Sequence, residues 1–127
     1  MTTVLLIEDN LEIRENTTEI LEMHGFKVVG AENGRVGIEK AFEVLPDIVL
    51  CDIMMPEADG YEVLRSIKSH ETTASIPFVF LTASVERKEV QAGFDMGACG
   101  YVRKPFEIDE LMSTIESCLK NSQNLNT

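Results

Sequence analysis

Five short apolar runs recur along this chain, and a stretch of helical periodicity follows each one. The runs are residues 4–7, 27–31, 48–51, 78–81 and 100–103, the second and fifth less apolar than the others. Apolar runs without polar alternation suit central parallel strands, because such strands are covered on both faces. Between them, Ile13, Thr17, Ile20, Leu21 and His24 fall on one helical stripe, with Gly25 as the stop. Glu12, Glu15, Glu19 and Glu22 line another side of that helix and read as a solvated face. Val36, Ile38, Ala41, Phe42 and Leu45 mark a second helix, opened by Asn33 and followed by Pro46. Asp59 and Glu62 resemble a capping pair for a third helix through Ile67. Ser84 is positioned to cap a fourth helix that turns Val90 and Phe94 inward. Ile108, Leu111, Met112, Ile115 and Leu119 make the fifth and clearest amphipathic stripe, read as core packing.

Strand then helix, five times over, predicts an α/β fold with a parallel sheet and helices on both faces. Right-handed crossovers leave few topologies. For five strands the doubly wound order 2-1-3-4-5 is the natural candidate. One domain is expected over residues 1–120, then a frayed polar tail over 121–127.

Composition removes several alternatives. A chain of 127 residues is long enough for a real core without a metal or disulfide staple. A formal charge of −11 argues against direct nucleic-acid binding, which needs a basic patch. A hydrophobic share of 44% separates the chain from disordered acidic segments. No apolar run is long enough to span a membrane, and the N-terminus meets charge too early for a signal peptide. The three cysteines, Cys51, Cys99 and Cys118, have unrelated spacings. They are expected to be free thiols in a reducing cytoplasm, with no disulfide framework or zinc site.

In such a sheet, ligands bind beyond the carboxyl ends of the strands, near the switch in strand order. Glu8 and Asp9 follow the first strand, Asp52 ends the third, Thr82 the fourth, and Lys104 follows the fifth. Strands one and three are neighbours in the expected order, so three carboxylates converge. They repel one another unless some protonate or a cation joins them. Oxygen ligands alone call for a hard cation: magnesium, manganese or calcium. Magnesium suits this sparse set, since it keeps waters and takes few carboxylates plus phosphate oxygens. An acid nucleophile, a divalent cation, a lysine and a hydroxyl are the parts of phosphoryl transfer onto a carboxylate.

With these residues in view, the sequence resembles the response-regulator receiver domain of two-component signalling, in its single-domain, chemotaxis-regulator-like form. The motifs that carry the resemblance are Glu8-Asp9, the stretch from Asp52 to Gly60, Leu81-Thr82-Ala83 and Lys104-Pro105-Phe106. They occur in order, after strands one, three, four and five. The resemblance implies a flavodoxin-like fold; receivers are themselves examples of the 2-1-3-4-5 order. It further implies that Asp52 is the phosphoacceptor and Asp9 a direct metal carboxylate, with Glu8 as the second acidic position. Met54 would bind the metal through its backbone carbonyl, with Mg2+ as the ion and Mn2+ as a possible substitute. Thr82 matches the switch hydroxyl, Lys104 the phosphate-binding lysine, and Tyr101 the aromatic switch position. The Lys104-Pro105 bond matches one that is cis in the family. Met54 and Ser84 match the pair flanking the acceptor that influences dephosphorylation. Glu8 in place of the commoner Asp bears on fine metal geometry only.

The expected function is a cytoplasmic switch that assists its own phosphorylation and dephosphorylation and is not otherwise an enzyme. A histidine kinase or histidine phosphotransfer protein would donate the phosphoryl group. A downstream target protein, unnamed by the sequence, would read the face of helix four, strand five and helix five; that face could also support a homodimer. No effector domain is expected within these residues. Two other classes compete. One is a phosphorylation-independent protein-interaction module, against which the Asp9, Asp52, Thr82 and Lys104 set argues. The other is a magnesium phosphatase, which would need a second acid where Met54 stands.

Overall fold

The computed structural model describes residues 1–83 and 87–125. Its strands are β1 (Thr3–Ile7), β2 (Lys27–Ala31), β3 (Ile48–Asp52), β4 (Phe78–Thr82) and β5 (Gly100–Arg103). The helices are α1 (Leu11–Met23), α2 (Gly34–Val44), α3 (Gly60–Lys68), α4 (Arg87–Asp95) and α5 (Ile108–Leu125). All neighbouring strands pair in parallel, in the order β2-β1-β3-β4-β5. The fold class and strand order read from the alternation are those observed.

Successive residues of a strand point to opposite faces, so each apolar run divides between two cores. Leu5, Ile7, Val49, Cys51, Phe78 and Phe80 pack on one face with Val63, Leu64 and Ile67 of α3. Val4, Leu6, Ile48, Leu50, Val79, Leu81 and Val102 pack on the other with Leu21 of α1 and Leu111 and Ile115 of α5. This division explains why the strands read as continuously apolar.

Side-chain caps begin three helices. Asn10 Oδ1 accepts from the Ile13 N–H at 2.9 Å, Asn33 Oδ1 from Val36 at 2.8 Å, and Asp59 Oδ1 from Glu62 at 2.9 Å. Each satisfies an amide that the helix itself leaves unpaired. Ser84, expected to cap α4, lies outside the described residues.

Several residues depart from their expected places. His24 is the exposed C-cap of α1, its Nδ1 against the Ile20 carbonyl at 2.9 Å, so the buried stripe ends at Leu21. Leu45 follows α2 in the left-handed region, φ 51°, and its side chain is exposed. Phe94 is 42% exposed: its ring rests against Tyr101 from the side, while its neighbour Gly93 is the buried residue lying directly against that ring. Ile108 opens α5 and is exposed; burial begins one turn later at Leu111. The expected tail is helical through Leu125, since no Pro or Gly interrupts residues 120–125. Ser122 Oγ there donates to the Ser75 carbonyl at 3.4 Å.

The cysteines require a larger correction. Cys99 and Cys118 form a disulfide, with 5.9 Å between their Cα atoms. Only Cys51 matches the expectation of a free buried thiol. The pair was invisible in the spacing because the packing of α5 onto β5 brings together residues 19 apart.

Candidate functional site

Register alone assembles the polar edge. Ile7 pairs with Cys51, so Glu8 and Asp52, the next residues, stand side by side. Asp52 pairs with Leu81 and Thr82 with Arg103, which brings Thr82 and Lys104 to the same edge. The Lys104 amide donates to the Thr82 carbonyl at 2.8 Å, extending that pairing by one residue. The peptide bond from Lys104 to Pro105 is cis.

The Asp52 carboxylate is held at both oxygens. Its Oδ1 accepts from the Ile53 N–H at 2.8 Å, and its Oδ2 from Lys104 Nζ at 3.2 Å. Lys104 Nζ also donates to Glu8 Oε1. Glu8 Oε2 accepts from the Asn10 N–H at 3.2 Å. The Glu8 side chain is only 1% exposed, against 14% for Asp52 and for Lys104. Asp9 is exposed, but one of its oxygens completes a group of three with Glu8 and Asp52, all within 4.8 Å of one another.

Among the described residues this arrangement is short of positive charge: three carboxylates cluster, and the Lys104 ammonium bonds two of them, Glu8 and Asp52. Burial is the largest influence on Glu8 and raises its pKa; the Lys104 hydrogen bond opposes this, and the Asp52 charge adds to it. Burial by itself would lower Lys104. The Glu8 hydrogen bond and the charges of Asp52 and Glu8 outweigh that, so Lys104 is raised and stays cationic. The donor set fits a hard divalent cation, since all three side chains offer oxygen. Opposite ligands of magnesium stand roughly 4 Å apart, close to the span of this cluster.

Thr82 is buried at the end of β4. Met54 follows β3, its side chain 80% exposed. Tyr101 is half-buried in β5, away from the carboxylates. Its hydroxyl donates to the Glu89 carbonyl of α4 at 2.8 Å, and its ring packs on Phe80 and Phe94, with centroids 5.0 and 5.5 Å away. Burial, then the hydrogen bond with Tyr61, raises the Tyr101 pKa.

A model of the response regulator receiver domain matches residues 4–116. The chain belongs to the response regulator receiver family. It is 33% identical over 125 residues to the DNA-binding dual master transcriptional regulator RpaA of Synechocystis, covering 98% of this chain and 52% of that protein. It is 34% identical over 120 residues to the phosphate regulon transcriptional regulatory protein PhoB of Pseudomonas aeruginosa, covering 94% of this chain and 52% of that one. The chain thus spans about half the length of the curated relatives it matches. Among solved structures, a receiver domain protein from Clostridium thermocellum superposes with a TM-score of 0.91 at 27% identity, covering 98% of this chain and 99% of its own. The chemotaxis protein CheY4 of Vibrio cholerae gives 0.88 at 28% identity, covering 93% and 98%.

Within this receiver, two contributors escaped the sequence reading. Arg14 Nη1 donates to the Glu8 carbonyl at 2.7 Å and steadies the acidic pair. The available signal was its position as the one Lys or Arg in residues 11–24, among four glutamates. Tyr61 is the other. Its hydroxyl lies 3.5 Å from that of Tyr101 and donates to the same Glu89 carbonyl at 3.3 Å. No local pattern links two tyrosines 40 residues apart.

Proposed function

We propose that this receiver is a phosphorylation-driven switch with Asp52 as its phosphoacceptor. The reading is carried by one observation: Lys104 Nζ bridges Glu8 and Asp52 at an edge where Asp9 completes an acidic group. A histidine kinase or histidine phosphotransfer protein would present a phosphohistidine. Its N–P bond breaks as an Asp52 oxygen forms the new O–P bond, and the imidazole leaves. The Ile53 N–H holds the carboxylate for attack, and Lys104 turns from its carboxylate partners to the incoming phosphoryl oxygens.

Glu8, Asp9, Asp52 and the Met54 backbone carbonyl would hold magnesium or manganese. When bound, the ion supplies the positive charge that the transferring phosphoryl group needs. An apolar groove of about 600 Å³, lined by Ile13, Ile20, Pro105 and Phe106, opens beside Lys104 and offers the donor protein a seat. The product is an acyl phosphate, which water hydrolyses; the chain would assist both its own phosphorylation by the donor and the hydrolytic reversal. Thr82 would move its hydroxyl toward the phosphoryl group, and Tyr101 would shift into the space released. The face formed by α4, β5 and α5 would then change for a target protein or a second copy of the chain. This reading assigns the switch to the cytoplasm.

The test is incubation of the purified chain with magnesium and a small acyl phosphate, followed by intact mass. One labile phosphoryl adduct is expected, absent in Asp52→Asn and absent with a chelator. No adduct under any condition would overturn the reading in favour of a phosphorylation-independent interaction module.

A further inference from the structure

We propose that Cys99 and Cys118 are a reversible dithiol–disulfide couple that controls how tightly β5 is tied to α5. Cys99 immediately precedes β5, and Cys118 lies in the interior of α5. Their Cα separation of 5.9 Å falls within the range that a disulfide bridges without backbone movement. The bond sits beside a close approach of strand and helix. A Cβ on Gly100 would stand 2.8 Å from Thr114 Cγ2 and 3.7 Å from Cys118 Sγ, so only glycine lets α5 lie so near.

Three features make the pair an exchange site as well as a staple. Cys99 is half-buried, whereas Cys118 is buried, so Cys99 is the residue of the pair nearer to solvent. A cavity of about 160 Å³ borders both cysteines and is rimmed by exposed Ser75 and Asn121. Lys68 lines the same cavity, with its Nζ fixed on the Ala74 and Ile76 carbonyls at 2.9 and 3.0 Å. A neighbouring ammonium favours thiolate over thiol. Cys51 does not compete, because it is fully buried in β3.

The exchange balances with a small-molecule thiol. The thiolate of one molecule attacks Cys99 Sγ, the S–S bond breaks, and Cys118 leaves as thiolate and takes a proton. A second molecule attacks the resulting mixed disulfide and frees Cys99. Two small thiols become one small disulfide, and the protein disulfide gains two electrons and two protons. Oxidation by a small disulfide runs the same steps in reverse.

Cys99 stands two residues before Tyr101 on the same segment. The disulfide therefore anchors the strand that carries the aromatic ring to the helix behind it, and reduction releases it. The effect on switching rests on the function proposed above; the couple itself does not.

The full chain is equilibrated in glutathione buffers of stepped thiol-to-disulfide ratio, acid-quenched, alkylated in denaturant and weighed. The expected masses carry one alkyl group (Cys51 alone) or three, exchanging in a single step as the ratio rises. Cys118→Ser is expected to lose that step. Three groups at every ratio, including glutathione disulfide alone, or one group even in excess thiol, would overturn the couple. Amide hydrogen exchange is then compared between the two forms of the wild-type chain. Opening of the 98–120 segment is expected to be suppressed on the order of a hundredfold in the disulfide form, from the loop-closure effect of a bridge of this span. Equal exchange would overturn the tethering role. Repeating the comparison with acyl phosphate and magnesium should show a smaller change at β5 in the disulfide form. If neither form takes a phosphoryl group, the switch reading falls, while the mass and exchange results still decide the couple.

Discussion

Substitution of Gly93 by alanine tests how the Tyr101 ring is seated. Gly93 lies inside α4, where alanine is normally favoured by about 1 kcal/mol. Here a Cβ would meet Tyr101 Cε2 and Cζ at 2.9 Å, and the hydroxyl closer still. No real Cβ tolerates that, so the ring must leave its seat. Leaving forfeits the hydrogen bond to the Glu89 carbonyl, about 1 kcal/mol. It also forfeits the contacts with Phe80 and Phe94, about 0.5–1.5 kcal/mol each. The loss is roughly 2–4 kcal/mol, against the helix gain of about 1, for a net destabilisation of about 1–3 kcal/mol. In a Tyr101→Ala background the obstruction is gone, and Gly93→Ala should become neutral or stabilising by up to about 1 kcal/mol. Urea unfolding of the four chains of this cycle, followed by far-ultraviolet circular dichroism, measures the coupling directly. A Gly93→Ala effect of the same sign and size in both backgrounds would refute the argument. Glycine at this position would then owe nothing to the ring.

Lys104→Ala removes the ammonium that Glu8 and Asp52 share, leaving a buried carboxylate unpaired; a loss of about 3 kcal/mol at neutral pH is expected in urea unfolding, with the fold retained. The same variant should uncouple phosphorylation from the change at β5, which hydrogen exchange with and without acyl phosphate would detect. Tyr101, raised above its ordinary value of 10.0, should appear in an absorbance titration as a late-ionising phenol that Tyr101→Phe removes. Between the unfolded and folded pKa values the native state holds the proton that the unfolded state has lost. Wild-type stability should therefore fall as pH rises through and above about 10, and Tyr101→Phe should flatten that fall.

The order of elements was legible because each rests on short-range chemistry. Unbroken apolar runs such as Val4 to Ile7 require two covered faces, and Asn33 and Asp59 announce the helices they cap. The acidic edge was legible for a related reason. Parallel register carries whatever follows Ile7, Cys51 and Leu81 to one edge, so strand-end residues could be assembled from topology alone. Side-chain orientation at the margins was not. His24, Leu45, Phe94 and Ile108 share the period of the buried residues, but each lies at or beside a helix end, where its side chain is left exposed. The disulfide and the tyrosine pair depend on packing between distant segments, which no local period encodes.

The residues of the proposed switch and the paired cysteines meet on β5. Lys104 follows the strand at its acidic end, Tyr101 sits mid-strand against α4, and Cys99 precedes it against α5. Only four residues make up β5, so these three influences act on a backbone too short to absorb them independently. Gly93 on one side and Gly100 on the other remove the side chains that would otherwise hold the neighbouring helices off. Close packing of this kind has few arrangements, so a displacement of Tyr101 would be transmitted to both helices. In the proposed switch the output face would therefore be set by the tightness of β5 between α4 and α5, a quantity that phosphorylation at the Asp52 edge and, separately, exchange at the cysteine pair would each change.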